Sequence, residues 1–170
     1  VLDFNPAGTP FEPETGEQYE VGVKYQPVGW NSFVTLSLFE LTKQNAIRYV
    51  GFDPVQTGEI RSRGVELEGV ASLDNGPDLK LAYAYLDTEI TDDTEGNEGH
   101  TPYGVPRHRV SLWADYKFRS GALEGLGIGG GVRYIGETFG DDANSFTVPS
   151  VTLFDAALSY EWKGMELQLN

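Results

Sequence analysis

Two histidines, a run of acids and a glycine-rich stretch are the residues whose types and spacing invite a chemical reading. His100 falls in a polar loop, and His108 follows Pro106-Arg107 at the start of an alternating segment. No serine motif surrounds either, and the chain has no cysteine, so neither a nucleophilic triad nor a metal site is expected at these positions. Asp92, Asp93, Glu95 and Glu98 offer oxygens to a hard cation. They lack the spacing of a twelve-residue calcium loop, which predicts a solvated acidic loop. Gly125-Leu126-Gly127-Ile128-Gly129-Gly130 matches a dinucleotide fingerprint on paper. That fingerprint needs a strand before it and a helix after it, whereas these glycines lie inside an alternating strand. No enzymatic activity is expected.

The elements that carry these residues are strands. Thr101-Pro102-Tyr103-Gly104-Val105-Pro106 is a turn-rich entry, and the stretch after it has a period of two. Val110, Leu112, Ala114, Tyr116 and Phe118 fall on one face; Arg107, Arg109, Ser111, Trp113, Asp115 and Lys117 fall on the other. The same alternation recurs over residues 17–25, 59–73, 79–90, 126–136, 151–162 and 165–170. Residues 32–42 are also a strand, but Leu36 and Leu38 are out of phase with Phe39 and Leu41, which predicts a bulge. Eight strands result, with almost no helical periodicity. Residues 45–57, 91–105 and 137–150 are read as long loops. Twenty-one glycines, nine tyrosines and nine phenylalanines suit such a chain. A net charge of −14 argues against nucleic acid as a partner and against anionic surfaces held through a basic patch. No apolar run reaches the roughly 18 residues of a transmembrane helix.

Alternation alone leaves two architectures open. The apolar faces could form the core of a secreted all-β binding or adhesion domain, or they could face lipid in a barrel whose polar faces line a lumen. Four features favour the barrel. The strands run roughly nine to twelve residues, against about five or six in soluble sheets. Connections alternate short and long. Aromatic residues (Tyr19, Tyr25, Tyr85, Tyr116, Phe118, Tyr134, Tyr160, Trp162) stand near strand ends, as at the two interfaces of a bilayer. Mid-strand charges also keep strict parity, which places Glu66, Glu68, Arg109, Asp115, Arg133 and Asp155 toward the interior.

Several ordered segments then carry a family resemblance. Arg61-Ser62-Arg63-Gly64-Val65-Glu66-Leu67-Glu68-Gly69 resembles a segment late in the barrel of TonB-dependent outer-membrane receptors. So do Thr101 to Arg109 with Ser111 to Tyr116, and Gly131-Val132-Arg133-Tyr134 through Gly140-Asp141, Asn144-Ser145-Phe146 and Val148-Pro149-Ser150 to Asp155. Gly16 to Gly22 and Leu41-Thr42-Lys43 fit the siderophore receptors of the ferrichrome and ferrioxamine (hydroxamate) type. The resemblance spans nearly the whole chain in order.

It implies an all-β antiparallel meander of about eight long strands, part of a 22-stranded transmembrane barrel with a plugged lumen. Residues 1–170 would be one piece of that barrel domain, without the plug, the earlier strands or the last strand. The implied function is uptake of iron–siderophore complexes across the bacterial outer membrane. Ferric siderophore, the receptor's own plug, the TonB energy-coupling system and outer-membrane lipid are the implied partners. No cofactor is implied, since iron travels as the siderophore complex and not as a protein-ligated ion. Tyr49, Phe52, Tyr103 and Phe139, in the long loops, are the implied siderophore-binding aromatics, and the lumenal charges would meet the plug. An open curved sheet is expected, because Trp113, Arg109, Arg133 and Glu66 are bulky for the interior of a closed eight-stranded barrel.

Overall fold

The computed structural model describes residues 8–50, 52–56, 58–74 and 76–170. Among the described residues twelve strands follow one another: β1 (Thr15–Tyr25), β2 (Asn31–Gln44), β3 (Ile47–Val50), β4 (Asp53–Gln56), β5 (Glu59–Ser72), β6 (Asp78–Asp92), β7 (His108–Lys117), β8 (Leu126–Ile135), β9 (Thr138–Phe139), β10 (Thr147–Val148), β11 (Val151–Trp162) and β12 (Met165–Leu169). Eight of them make one antiparallel sheet in the order β1-β2-β5-β6-β7-β8-β11-β12. Each long strand therefore pairs with its sequence neighbours, and β1 and β12 stand at opposite ends. This is the open meander expected of a piece of a wider barrel.

Turn chemistry sets the short end of the sheet. Between β1 and β2, Trp30 N–H donates to Pro27 O at 3.3 Å with Gly29 at φ 82°, a position only a residue without Cβ takes at no cost. Between β11 and β12, Lys163 and Gly164 both have positive φ (49° and 80°). That pair gives the primed two-residue turn whose twist matches the flanking strands. At the opposite end, the connections 45–58, 93–107 and 136–150 are long. Residues 45–57 are not a plain loop: Ile47, Tyr49, Val50 and Val55 are strand formers, and β3 pairs with β4 as a hairpin. The pair β9–β10 likewise closes the loop that contains it.

The bulge expected in β2 is absent. β2 pairs with β1 and β5 in unbroken register, and the one shift in the β5–β6 ladder lies between Glu59 and Ile60. Leu36 and Leu38 face outward, while Phe39 and Leu41 face the other side in rows with Gly64 and Ser62. Phe39 is apolar on the polar face because it fills the space over Gly64, where an added Cβ would lie 2.5 Å from its ring.

The register separates the faces. One row reads Val23, Leu36, Leu67, Tyr83, Val110, Tyr134, and the next reads Tyr25, Val34, Gly69, Leu81, Leu112, Val132, Phe154. Among the described residues nothing packs on this apolar face: Val21 is 69% exposed, Val23 64% and Leu38 50%. A secreted sandwich would have buried these side chains in a core. Among the described residues, Ile90 and Pro106 are the largest side chains that are fully buried, and both lie at the long-loop end. The conventional-core alternative is therefore set aside.

Candidate lumenal and outer-loop surface

The opposite face is polar, and register places every lumenal charge named from the sequence on it. Glu66 and Arg109 share the row Gly22, Ser37, Glu66, Ala84, Arg109, Ile135; Glu68 and Arg133 share the row Thr35, Glu68, Ala82, Ser111, Arg133, Leu153. Asp115 and Asp155 follow toward the short-turn end, opposite Gly129 and Gly131 respectively.

These charges divide into two groups. Arg133 holds Asp155 bidentately, Nε to Oδ2 at 2.9 Å and the guanidinium NH2 group to Oδ1 at 3.0 Å. Asp115 accepts from the Trp113 indole N–H at 2.9 Å. The indole itself lies over Gly129 and Gly131, where an added Cβ would come within 2.6 Å of the ring. By contrast, the side chains of Glu66, Glu68 and Arg109 have no ion-pair or hydrogen-bond partner among the described residues. They are exposed around a lumenal concavity of about 310 Å³ floored by Ala82, Ala84 and Ser111. Ala84 separates Glu66 from Arg109 by two inter-strand spacings, roughly 10 Å of backbone. Carboxylates thus stand on one side of a shallow trough and guanidinium groups on the other.

The long loops form a second surface. Loop 93–107 is stitched to loop 136–150 by side chains that act like backbone. Asn144 Oδ1 accepts from Thr101 N–H at 3.0 Å, and Asn144 Nδ2 donates to Thr101 O at 2.7 Å. Asp142 Oδ1 accepts from Tyr103 N–H at 2.9 Å, Gly104 N–H donates to Phe139 O at 2.9 Å, and His100 Nδ1 contacts Asp142 O at 3.0 Å. Asn144 takes φ 54° to do this, a left-handed conformation that asparagine tolerates. Asp141 accepts from the Ser145 hydroxyl and from Ser145 N–H (2.8 Å), and these bonds hold its carboxyl below the ordinary 3.8. Glu14, just before β1, is likewise lowered by Ile47 N–H at 2.9 Å and by Lys43 Nζ at 3.0 Å.

Two of the four loop aromatics, Tyr103 and Phe139, lie on the two stitched loops. Tyr103 is exposed on one stitched loop and Phe139 is half-buried on the other. Phe139 lines a cleft of about 360 Å³ with Thr101, Arg107, Tyr134 and Glu137. Phe52 is fully exposed at the tip of the β3–β4 hairpin. Tyr49 pairs with Pro54 through its backbone, and its side chain lies outside the described residues. The acidic run has a structural use: Asp93 Oδ2 accepts from the backbone and side-chain nitrogens of Asn97 at 3.1 and 2.6 Å. Trp113 was placed on the interior face from sequence, but its cover over Gly129 and Gly131 and the Asp142–Asn144 stitch were not foreseen. An asparagine beside two aspartates in a loop is the available signal, since these residues pair with neighbouring backbone.

Comparison with known proteins fits this geometry. The family model described as TonB dependent receptor-like, beta-barrel matches residues 2–170. The ferrichrome outer membrane transporter/phage receptor of Escherichia coli K12 is 46% identical over 157 residues, covering 91% of this chain and 21% of that protein. The ferrioxamine B receptor of Salmonella typhimurium is 36% identical over 170 residues, covering 96% and 24%. Among solved structures, the ferric preacinetobactin receptor BauA of Acinetobacter baumannii superposes with a TM-score of 0.76 at 28% identity, covering 98% of this chain and 26% of that one. The chain spans about a quarter of the length of these relatives. It belongs to the TonB-dependent receptor β-barrel family of the outer membrane.

Proposed function

We propose that the chain forms part of the wall and outer loops of a receptor that imports iron as a hydroxamate siderophore complex. The observation that carries this reading is the similarity to ferrichrome and ferrioxamine receptors along more than nine-tenths of the chain. The family is one of receptors and transporters, and this chain's role is to bind and admit cargo, not to transform it. Iron is cargo here, held by its chelator, and the protein needs no cofactor of its own.

The complete barrel would have 22 strands, to which this sheet contributes eight. Glu66, Glu68 and Arg109, uncommitted within the wall, are the groups that the receptor's plug would meet. Arg133–Asp155 and Trp113–Asp115 are satisfied within the wall and would hold its inner surface in shape. Transport would then depend on the TonB system acting on the plug. Tyr103 and Phe139 are the aromatics on the stitched loops that would touch the chelate, a compact and largely neutral body suited to aromatic contact.

The test is siderophore binding to the intact receptor. Tyr103→Ala should weaken binding by about 1–2 kcal/mol, roughly 5- to 30-fold in Kd. An unchanged Kd for ferrichrome- and ferrioxamine-type chelates in both Tyr103→Ala and Phe139→Ala would remove these loops from the binding surface.

A further inference from the structure

On the outward face, one cross-strand row has a gap. Tyr25, Val34, Gly69, Leu81 and Leu112 are register neighbours across five strands, and the middle residue has no side chain. The lumenal sheet glycines Gly64, Gly129 and Gly131 are overlain by rings, the first by Phe39 and the other two by Trp113. Gly69 is not; an added Cβ would meet nothing closer than 3.9 Å. The result is a slot of about 380 Å³, lined by aliphatic and aromatic side chains together with Ser32. It opens toward the short-turn end, where Tyr25 ends β1 and Trp30 closes the following turn. Both rings are about two-thirds exposed. Neither the Tyr25 hydroxyl nor the Trp30 indole N–H has a hydrogen-bond partner among the described residues.

We propose that this slot seats one acyl chain of a glycerophospholipid, with the ester region at Tyr25 and Trp30. The slot is continuous with the lipid-facing surface of an outer-membrane barrel, so hydrocarbon is the medium that meets it. Its size lies at the small end of ligand pockets. An aliphatic and aromatic lining with two polar-tipped rings at the mouth matches a chain below an ester and headgroup, since tyrosine and tryptophan settle at that level of a bilayer. Short turns of such barrels face the periplasm, which selects the phospholipid leaflet over the outer one.

The experiment is native mass spectrometry of the intact receptor in mild detergent, titrated with dioleoyl phosphatidylethanolamine. One lipid should bind at least tenfold tighter than those that follow. Gly69→Leu, which fills the slot, should abolish that first event, whereas Gly130→Leu, on the same face outside the slot, should leave it intact. Should Gly69→Leu fail to insert, Trp30→Ala lies outside the sheet ladder and should weaken the first event by itself. Equal binding in wild type and the slot variants overturns the proposal. So does a first-bound species with the mass of lipid A, or a receptor dimer that Gly69→Leu dissolves.

Discussion

Replacing Asn144 with alanine tests whether the two outer loops move as one unit. The side chain makes two short bonds to Thr101, at 3.0 Å to its N–H and 2.7 Å to its carbonyl. A neutral hydrogen bond contributes about 0.5–1.5 kcal/mol, and the site is only half-buried, so water recovers part of the loss. Holding alanine at φ 54° adds about 1–2 kcal/mol. The combined local cost is about 2–3 kcal/mol. Asn144→Gly keeps the backbone comfortable and loses only the hydrogen bonds, so its cost should be lower by roughly the strain, about 1 kcal/mol. The assay is hydrogen exchange at Thr101 and Tyr103 in the intact receptor. About 2 kcal/mol of local opening accelerates exchange roughly 30-fold for alanine, with a smaller effect for glycine. Barrel melting should not change, because none of these bonds belongs to the eight-stranded sheet. Unchanged exchange at Thr101 in the alanine variant refutes the stitch. Equal effects of alanine and glycine refute the strain component.

Most of the wall was legible in the sequence because lipid and lumen impose a period of two on every strand. Val110, Leu112 and Tyr116 against Ser111, Trp113 and Asp115 needed no tertiary information to be sorted. The exception shows where parity fails as a guide. Phe39 and Leu41 are apolar yet lumenal, and for Phe39 the reason is that its ring covers Gly64 on the wall's inner surface. A sequence pattern reports polarity and cannot report which gap a ring must cover. The same blindness hid Trp113, which was assigned to the charged face but not recognised as a lid over Gly129 and Gly131.

The candidate site was legible only as a set of residue types. Glu66, Glu68, Arg109 and Arg133 were placed on one surface by parity. Which of them pair is decided by cross-strand neighbours 20 or more residues away, such as Asp155 for Arg133. Loop contacts were opaque for a related reason. Asn144 and Thr101 meet because β7 and β8 fix the roots of their loops, and no local pattern encodes that approach. The β3–β4 hairpin had local signals, but residues 45–57, with Pro54 among them, were read as a loop and the strand formers prevailed.

Three further perturbations probe the wall and its loops. Leu112→Arg places a charge in the apolar band and should destabilise the receptor by about 2–4 kcal/mol, while Ser111→Arg on the lumenal face should be tolerated; equal losses in urea-titrated folding into bilayers would contradict the assignment of faces. Gly131→Ala puts a Cβ 2.6 Å from the Trp113 ring and 3.0 Å from Leu112 O, so the indole must lift at a cost of about 1–3 kcal/mol; near-ultraviolet circular dichroism should show the ring's altered setting, and an unchanged spectrum would mean that the ring does not lie on the glycines. Asp141 supplies a pH dependence. Its carboxylate accepts from the Ser145 hydroxyl and amide, which lowers its folded pKa below the ordinary 3.8. A lowered folded pKa means that the ionised form supports the loop: the contribution is fully present above about pH 4 and is lost as pH falls through the folded value. Protonation leaves the Ser145 hydroxyl and N–H facing a weaker acceptor, so the turn from Asp141 to Ser145 should loosen at that step. The Ser145 amide resonance of the intact receptor should therefore titrate with a midpoint below 3.8, and Asp141→Asn should remove the transition. A midpoint at or above 3.8, or a transition that survives Asp141→Asn, would show that these hydrogen bonds do not hold the carboxylate in its ionised form.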